Sequence, residues 1–265
     1  LMAPWCIESR LAKAADNPSS DCWIFPVLQF REFPGDMSLL WNRMQTERKD
    51  ATRFASSDPP WHTSGPLWRK GALQTFGGFN ELVLYGDDSD MHLRALLSGI
   101  KTSQYPDALP DVFVRRSNLP RITNSLSPEL IESRRLRLRE GTKLLKASAG
   151  TEPLACWEAQ YFTEAEFLLF NHPESSEPVE KVLDAWEDEF RPQPVLRGMV
   201  RTYFAIALAS RRRAYLIVRI ARRIAMKLLP SAFFAGAGAQ SPATAAETVM
   251  LEVQKRMSLS QAPPL

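Results

Sequence analysis

From Ser127 onward the apolar residues recur at helical spacing, whereas before residue 125 helical runs alternate with β-type ones. This change of period limits the fold more than any other feature of the chain. It predicts an α/β part over about residues 1–125, a partial sheet with covering helices, followed by an all-α tail over 126–265. Charge sharpens the division. Residues 1–125 hold 14 basic and 14 acidic side chains, residues 151–190 one basic and eleven acidic, and residues 191–229 ten basic and none acidic. The formal charge of +3 therefore hides a segregated tail, in which the acidic and basic helices are expected to pack on each other. With 265 residues, 45% of them apolar, the chain can bury one good core or two modest ones.

Within the first part, Cys6 to Ala15 reads as a helix with Ile7, Leu11 and Ala14 or Ala15 on one side. Trp23 to Phe30 reads as a strand, and Pro26 marks it as edge or bulged. Met37 to Met44 is expected to start a helix, and residues 50–66 to form a Pro-rich loop. A helix over 88–98 turns Met91, Ala95 and Leu96 inward and stops at Gly99. Short strands follow at 100–105 and 111–116. In the tail, Pro128 opens an Arg-rich helix that ends near Gly150. Acidic helices are expected at 154–170 and 179–190, and one long basic helix at 195–229, stopped by Pro230. A small-residue linker and a short amphipathic segment at 247–258 complete the chain. No repeat of solenoid or propeller period is present.

Several classes drop out on composition. Cys6, Cys22 and Cys156 show no C-x-x-C spacing, so neither a zinc knuckle nor a disulfide framework is expected, and a reduced, cytoplasmic compartment fits. The start Leu-Met-Ala-Pro-Trp has no basic segment leading into an apolar one, and its first residue is not Met, which suggests that sequence precedes it. The uncharged, mostly apolar run Thr202 to Ser210 falls well short of the ~20 residues of a spanning helix. The basic, amphipathic 191–229 segment suits peripheral contact with the inner face of a membrane as well as it suits pairing with the acidic helices. Nucleic acid is not expected as a partner, because no binding motif accompanies the charge.

The chemistry concentrates between Trp68 and Gly99. Gly77-Gly78 permits a left-handed backbone and leaves room for close approach, and Asp87, Asp88 and Asp90 crowd the start of a helix whose dipole favours negative charge. A helix N-terminus weakens such a carboxylate as a base, while a neighbouring carboxylate strengthens it. Taken alone, the acidic trio is as readily a helix cap as a catalytic group. Trp61 and Trp68 flank the Pro-rich loop, where an aromatic face either stacks on a sugar ring or anchors the loop. His62 and His92 have no His or Cys at ligand spacing. Arg94 pairs with Asp87 or Asp90 across one turn. Arg115 and Arg116 either reach a diphosphate or form surface ion pairs.

The order Gly77-Gly-Phe-Asn-Glu, a spacer, then Asp87-Asp-Ser-Asp-Met-His-Leu-Arg and Gly99 resembles the family-2 glycosyltransferases, whose pattern is Gly-Gly-Phe-Asp-Glu followed by Glu-Asp-x-Asp-Leu-x-x-Arg. The resemblance implies a GT-A-like, Rossmann-like nucleotide-sugar fold, of which residues 1–125 match the second half of the catalytic domain. It implies an inverting glycosyltransferase of hexosyltransferase type that moves a sugar from a nucleotide-sugar donor to the hydroxyl of a glycan, lipid-linked or protein acceptor. By the same resemblance Asp88 is the catalytic base, Asp87 stands for the preceding Glu, and Gly78 and Phe79 line the donor and acceptor cleft; Trp68, read from its aromatic face ahead of that cleft, is taken as a further substrate contact. The family's Mg²⁺ or Mn²⁺ is held by an Asp-x-Asp motif in a donor-binding half that has no counterpart in these residues, so no metal ligand is assigned. The His that follows an Arg in many members is here Ser117. Absence of Gln-x-x-Arg-Trp argues for transfer of single sugars. A non-catalytic remnant, or a module that docks on a membrane or partner, is the alternative.

Overall fold

The computed structural model describes residues 1–117, 126–148, 151–172, 175–210, 215–235 and 243–261. The chain is mostly helical, with two small sheets in its first half. Helix α1 spans Cys6–Asp16 and strand β1 spans Cys22–Ile24, with β2 at Val27–Phe30. Helix α2 is Asp50–Ala55, β3 is Pro66–Trp68, α3 is Lys70–Phe76 and α4 is Asp87–Leu97. Strands β4, Thr102–Gln104, and β5, Val112–Arg115, close the first part.

Pro26 lies between two strands rather than within the single strand expected over 23–30. It lies where the chain leaves one sheet for another, since β1 is the middle strand of β3–β1–β4 while β2 pairs with β5. Strand β1 runs antiparallel to β3, with Trp23 opposite Leu67, and parallel to β4, with Trp23 opposite Ser103. Strand β2 runs parallel to β5 with Leu28 opposite Phe113. Proline removes a ladder donor, and that is enough to end one pairing and free the chain to begin the next.

Three local expectations are corrected. Ile7 and Leu11 of α1 are exposed, and the buried residues are Cys6 and Arg10. Arg10 faces inward because Asp111 accepts from its Nε at 2.9 Å and its Nη2 at 2.6 Å, while Ser64 O accepts from Nη1 at 3.0 Å. Residues 37–44 form no helix, and Leu39 and Leu40 make isolated β-bridges instead. Leu40 N donates to Ala243 O at 2.9 Å and Ala245 N to Ser38 O at 2.7 Å on one side, and Gln29 N donates to Leu39 O and Trp41 N to Val27 O, both at 2.8 Å, on the other, so the segment lies between β2 and the far end of the chain. Residues 50–66 contain α2, whose Phe54 and Ala55 are buried and whose Arg53 is held by Asp58 at 2.9 Å and by Met44 O at 2.7 Å. Six residues are too few to display a helical period.

The tail comprises α5, Pro128–Ala147, α6, Thr151–Asn171, α7, Glu177–Phe190, α8, Pro194–Ser210, α9, Tyr215–Leu228, the single turn α10, Ala232–Ala235, and α11, Glu247–Gln261. Ser127 caps α5, its hydroxyl accepting from Leu130 N at 3.3 Å with Pro128 in the first turn. The single basic helix expected over 195–229 is instead two helices, α8 and α9. Pro194 and Val195 at the start of α8 share a groove with Leu228 and Leu229 at the end of α9, so the pair runs antiparallel. Folding back buries Val200, Tyr203, Phe204 and Ala207 together with Val218, Ala225 and Leu229, which a single extended helix leaves in water. Arg211, Arg212 and Arg213 lie outside the described residues.

The acidic and basic helices do pair. Arg201 of α8 meets Glu180, Asp184 and Glu187 of α7, and Arg222 of α9 meets Glu166 of α6 at 3.0 Å. The main core is continuous across residue 125, joining Cys22, Ile24, Phe54 and Leu93 to Leu138, Trp157, Phe162, Trp186 and Phe204. A second cluster places Met250 and Val253 of α11 against Leu28, Phe30 and Phe113, so the last helix returns to the β2–β5 sheet. Among the described residues no helix is long and apolar enough to cross a membrane.

Candidate active site

Helix α4 organises the residues singled out by the sequence. Gly86 precedes it with φ +67°, Asp87, Asp88 and Asp90 occupy its first turn, and Gly99 leaves it at φ +83°. Ahead of it, α3 ends at Gly77 with φ +84°, followed by Gly78 at φ +61°. A Cβ at either glycine would meet no atom within 4 Å, so these positions need glycine for their backbone conformation and leave open space above them. Asn80 then closes an Asx turn, its Oδ1 accepting from Leu82 N at 3.1 Å.

Asp88 is half-buried. Its Oδ2 accepts from the Thr63 hydroxyl at 2.8 Å and its Oδ1 from Ser89 N at 2.7 Å. Burial first and the charge of Asp88 second push the Asp87 carboxyl above its ordinary value. One turn along the same face, His92 is buried among the rings of Phe54, Trp61 and Trp68, with centroids at 5.2, 5.6 and 5.8 Å. Neither ring nitrogen of His92 has a hydrogen-bond partner. Burial drives its pKa down to about 4 against the opposing pull of Asp88, and burial likewise lowers that of His62. Both rings are neutral at pH 7.

Trp68 belongs to β3, where it lies opposite Cys22, and its indole stacks on His92 at 15° between planes and touches Phe76. Trp61 is buried beside Phe54. On the other flank of α4, Arg94 donates to Asp90 at 2.8 Å, to Phe76 O at 2.9 Å and to Gly78 O at 2.6 Å. Since two residues turn a helix by roughly 200°, Asp88 and His92 face one way and Asp90 and Arg94 the other. The fold thus brings Asp88, Thr63 and the His92–Trp68 stack to one flank and clamps the Gly77–Gly78 turn on the opposite one. Phe79, 48% exposed, continues from that turn into an exposed apolar loop with Leu82 and Leu84.

A recess of about 550 Å³ opens beside His62 and Ser64, lined also by Arg10, Val112 and Arg115. Asp88 lines neither this recess nor the pocket beside Tyr85 described below. Arg115 donates to Arg31 O at 2.9 Å from an exposed position. Among the described residues no group of three or more His, Cys, Asp or Glu is gathered to hold a metal ion. Asp90 is drawn away by Arg94, which splits the acidic trio, so the residues present do not form the donor set a divalent cation requires. Comparison of the chain with protein-family models, curated proteins and solved structures found no match.

Thr63 is the partner that sequence reading missed. It stands in a Pro-rich stretch 25 residues from the aspartate it orients, with no motif to single it out.

Proposed function

We propose that this chain carries the acceptor-side part of an inverting, nucleotide-sugar-dependent glycosyltransferase, with Asp88 as the general base. The observation that carries the reading is the Thr63–Asp88 hydrogen bond at 2.8 Å, which fixes a half-buried carboxylate at the mouth of α4. In the reaction, Asp88 takes the proton of the acceptor hydroxyl as its oxygen attacks the anomeric carbon, and the nucleoside diphosphate leaves with the electrons of the broken glycosidic bond. Trp68 is held by the His92 stack as an aromatic wall for a sugar ring on the Asp88 flank of α4, whereas Gly78 and Phe79 belong to the opposite flank and take no part in this reading. The resemblance assigns donor binding and its cation to a half that these residues do not provide, so no step is routed here through a metal. Asp88→Asn in the natural full-length protein is expected to lower transfer by ~10²-fold or more, with folding intact. Turnover at the parent rate would remove Asp88 from the role.

A second reading, a module that docks on a membrane or partner without catalysis, is favoured by the apolar, exposed Ile217, Ile220 and Ile224 beside Arg223 and Lys227 on α9. Calorimetry of the full-length protein with a nucleoside diphosphate separates the two readings. Binding supports the transferase, and no heat with intact protein supports the docking module.

A further inference from the structure

Beneath the loop that leads into α4 lies a pocket of about 490 Å³ whose walls include Tyr85, Arg134, Arg137 and Gln160 together with the carboxylates Glu164 and Glu166. Two of its ion pairs close on themselves: Arg134 Nη1 meets Glu164 at 2.8 Å, and Arg222, which lies at the same pocket, meets Glu166. Arg137 is different. It is only 6% exposed, yet it makes no hydrogen bond and no ion pair among the described residues, and its Nε is buried without an acceptor.

The Arg137 side chain is held in place rather than loose. A Cβ on Gly86 would meet its Cδ at 2.9 Å, and its guanidinium lies 5.2 Å from the Trp157 ring and 5.5 Å from that of Tyr85. Gln160, which lines the same pocket, is also buried. Its Oε1 accepts from the Ser57 hydroxyl, while its Nε2 has no acceptor. Two buried donor groups, one of them a cation met only by aromatic rings, therefore line a pocket whose two carboxylates are already engaged by Arg134, Arg222 and Tyr203. Burying a charge without a partner is costly, and the natural complement of a planar guanidinium beside an amide donor is an oxyanion with two or more acceptor oxygens.

We propose that this pocket is a binding site for a phosphate or carboxylate group carried on a small organic molecule. The guanidinium of Arg137 pairs with the anion, the Gln160 amide donates to a second oxygen, and Tyr85 and Phe167 flank the remainder. The volume exceeds that of a single anion and leaves room for an attached sugar-sized body. The site does not depend on the transferase reading.

The test is binding to the purified chain at constant ionic strength, with chloride as the reference salt. Glucose 6-phosphate, glucuronate and inorganic phosphate serve as probes, followed by calorimetry and by the thermal midpoint. A saturable rise of the midpoint is expected with at least one of the organic probes. Preference for the first over the second identifies a phosphate site, and the reverse a carboxylate site. Arg137→Met is expected to weaken that binding by ~10-fold or more, the loss of one charge-assisted contact. Should Arg137→Met not fold, Gln160→Met removes the other donor and decides alone by the same readout. Absence of saturable binding to all three probes overturns the proposal, and so does binding that the folded variants leave unchanged.

Discussion

The Nε of Arg94 stands 2.8 Å from Oδ2 of Asp90, one turn back on α4, while its two Nη atoms hold the carbonyls of Phe76 and Gly78. A single guanidinium thus ties the acidic helix to the left-handed glycine turn, which gives a structural reason for the two halves of the sequence pattern to travel together. Asp90 is only 4% exposed, so Arg94→Met strands a buried carboxylate and lowers unfolding free energy by ~3–5 kcal/mol. Lysine, a point charge without the fork, restores only part of this. Denaturant unfolding of R94M, R94K and the double variant R94M/D90N measures the effect, and the double variant is expected to recover stability relative to R94M.

His92 predicts an acid-sensitive fold. Its folded pKa of about 4 lies below its ordinary value of 6.5, so between these limits the unfolded chain binds a proton that the folded one does not. Stability from this group is present above pH 6.5 and is lost as pH falls toward 4, at up to ~1.4 kcal/mol per pH unit. His92→Phe, which suits a pocket of Phe54, Trp61 and Trp68, is expected to flatten that slope.

Asp50 acts in the opposite sense. Burial raises its carboxyl from 3.8 to about 6, with Arg53 and a hydrogen bond from Gln104 opposing the rise. Between these values the folded state holds the extra proton, so this group contributes stability at low pH that is lost as pH rises through 6. Asp50→Asn is expected to raise the thermal midpoint at pH 7 and leave it little changed at pH 4. Melting curves of both variants across pH 4–7 should tilt in opposite directions relative to the parent.

Local signals were legible where the partner sits within a turn or two. Pro128 at the start of α5 and Gly99 after α4 follow from spacing alone, and the spacing narrowed the partner of Arg94 to Asp87 or Asp90, of which the fold takes Asp90. What stayed hidden depends on residues far away in sequence. Arg10 is buried where an apolar face was expected because Asp111, 101 residues on, neutralises it. Residues 37–44 form no helix because Leu39 and Leu40 bridge β2 on one side and residues 243–245 on the other. The break at Pro26 was visible, but nothing nearby specifies that the chain resumes in a second sheet. Thr63 and Arg137 are of the same kind, since each matters only through a partner or a pocket that tertiary packing creates.

Helix packing within the tail is testable at one glycine. A Cβ at Gly141 of α5 would lie 2.1 Å from Cζ2 of Trp157 on α6, whose Nε1 donates to Leu138 O at 2.9 Å. Alanine is usually favoured inside a helix by ~1 kcal/mol, but here overpacking reverses the sign, and Gly141→Ala is expected to cost ~1–3 kcal/mol. Gly198→Ala in α8, where no atom lies within 4 Å of the added carbon, is the control and should stabilise by ~0.4–1 kcal/mol.

The outer face of α9 leads to the last prediction. Val218, Ala225 and Leu229 point into the core, whereas Ile217, Ile220, Ile224 and Leu228 are exposed together along one flank and continue across a groove to Val195 and Ile206 of α8. By helical geometry Arg223 and Lys227 border that flank. Both are exposed and form no ion pair among the described residues, unlike Arg201 and Arg222, whose charges are taken up by α7 and α6. An apolar strip edged by free cations matches the boundary of an anionic bilayer, where each cation adds ~1 kcal/mol and the isoleucines bury area. The protein is therefore expected to co-sediment with vesicles containing phosphatidylserine and not with pure phosphatidylcholine. Raised salt should weaken the association, and the paired change Ile220→Asp, Ile224→Asp should abolish it without unfolding the chain. If vesicles of either composition leave the protein in solution while sedimentation shows a concentration-dependent dimer, the strip is an interface between copies, and the membrane contact is wrong.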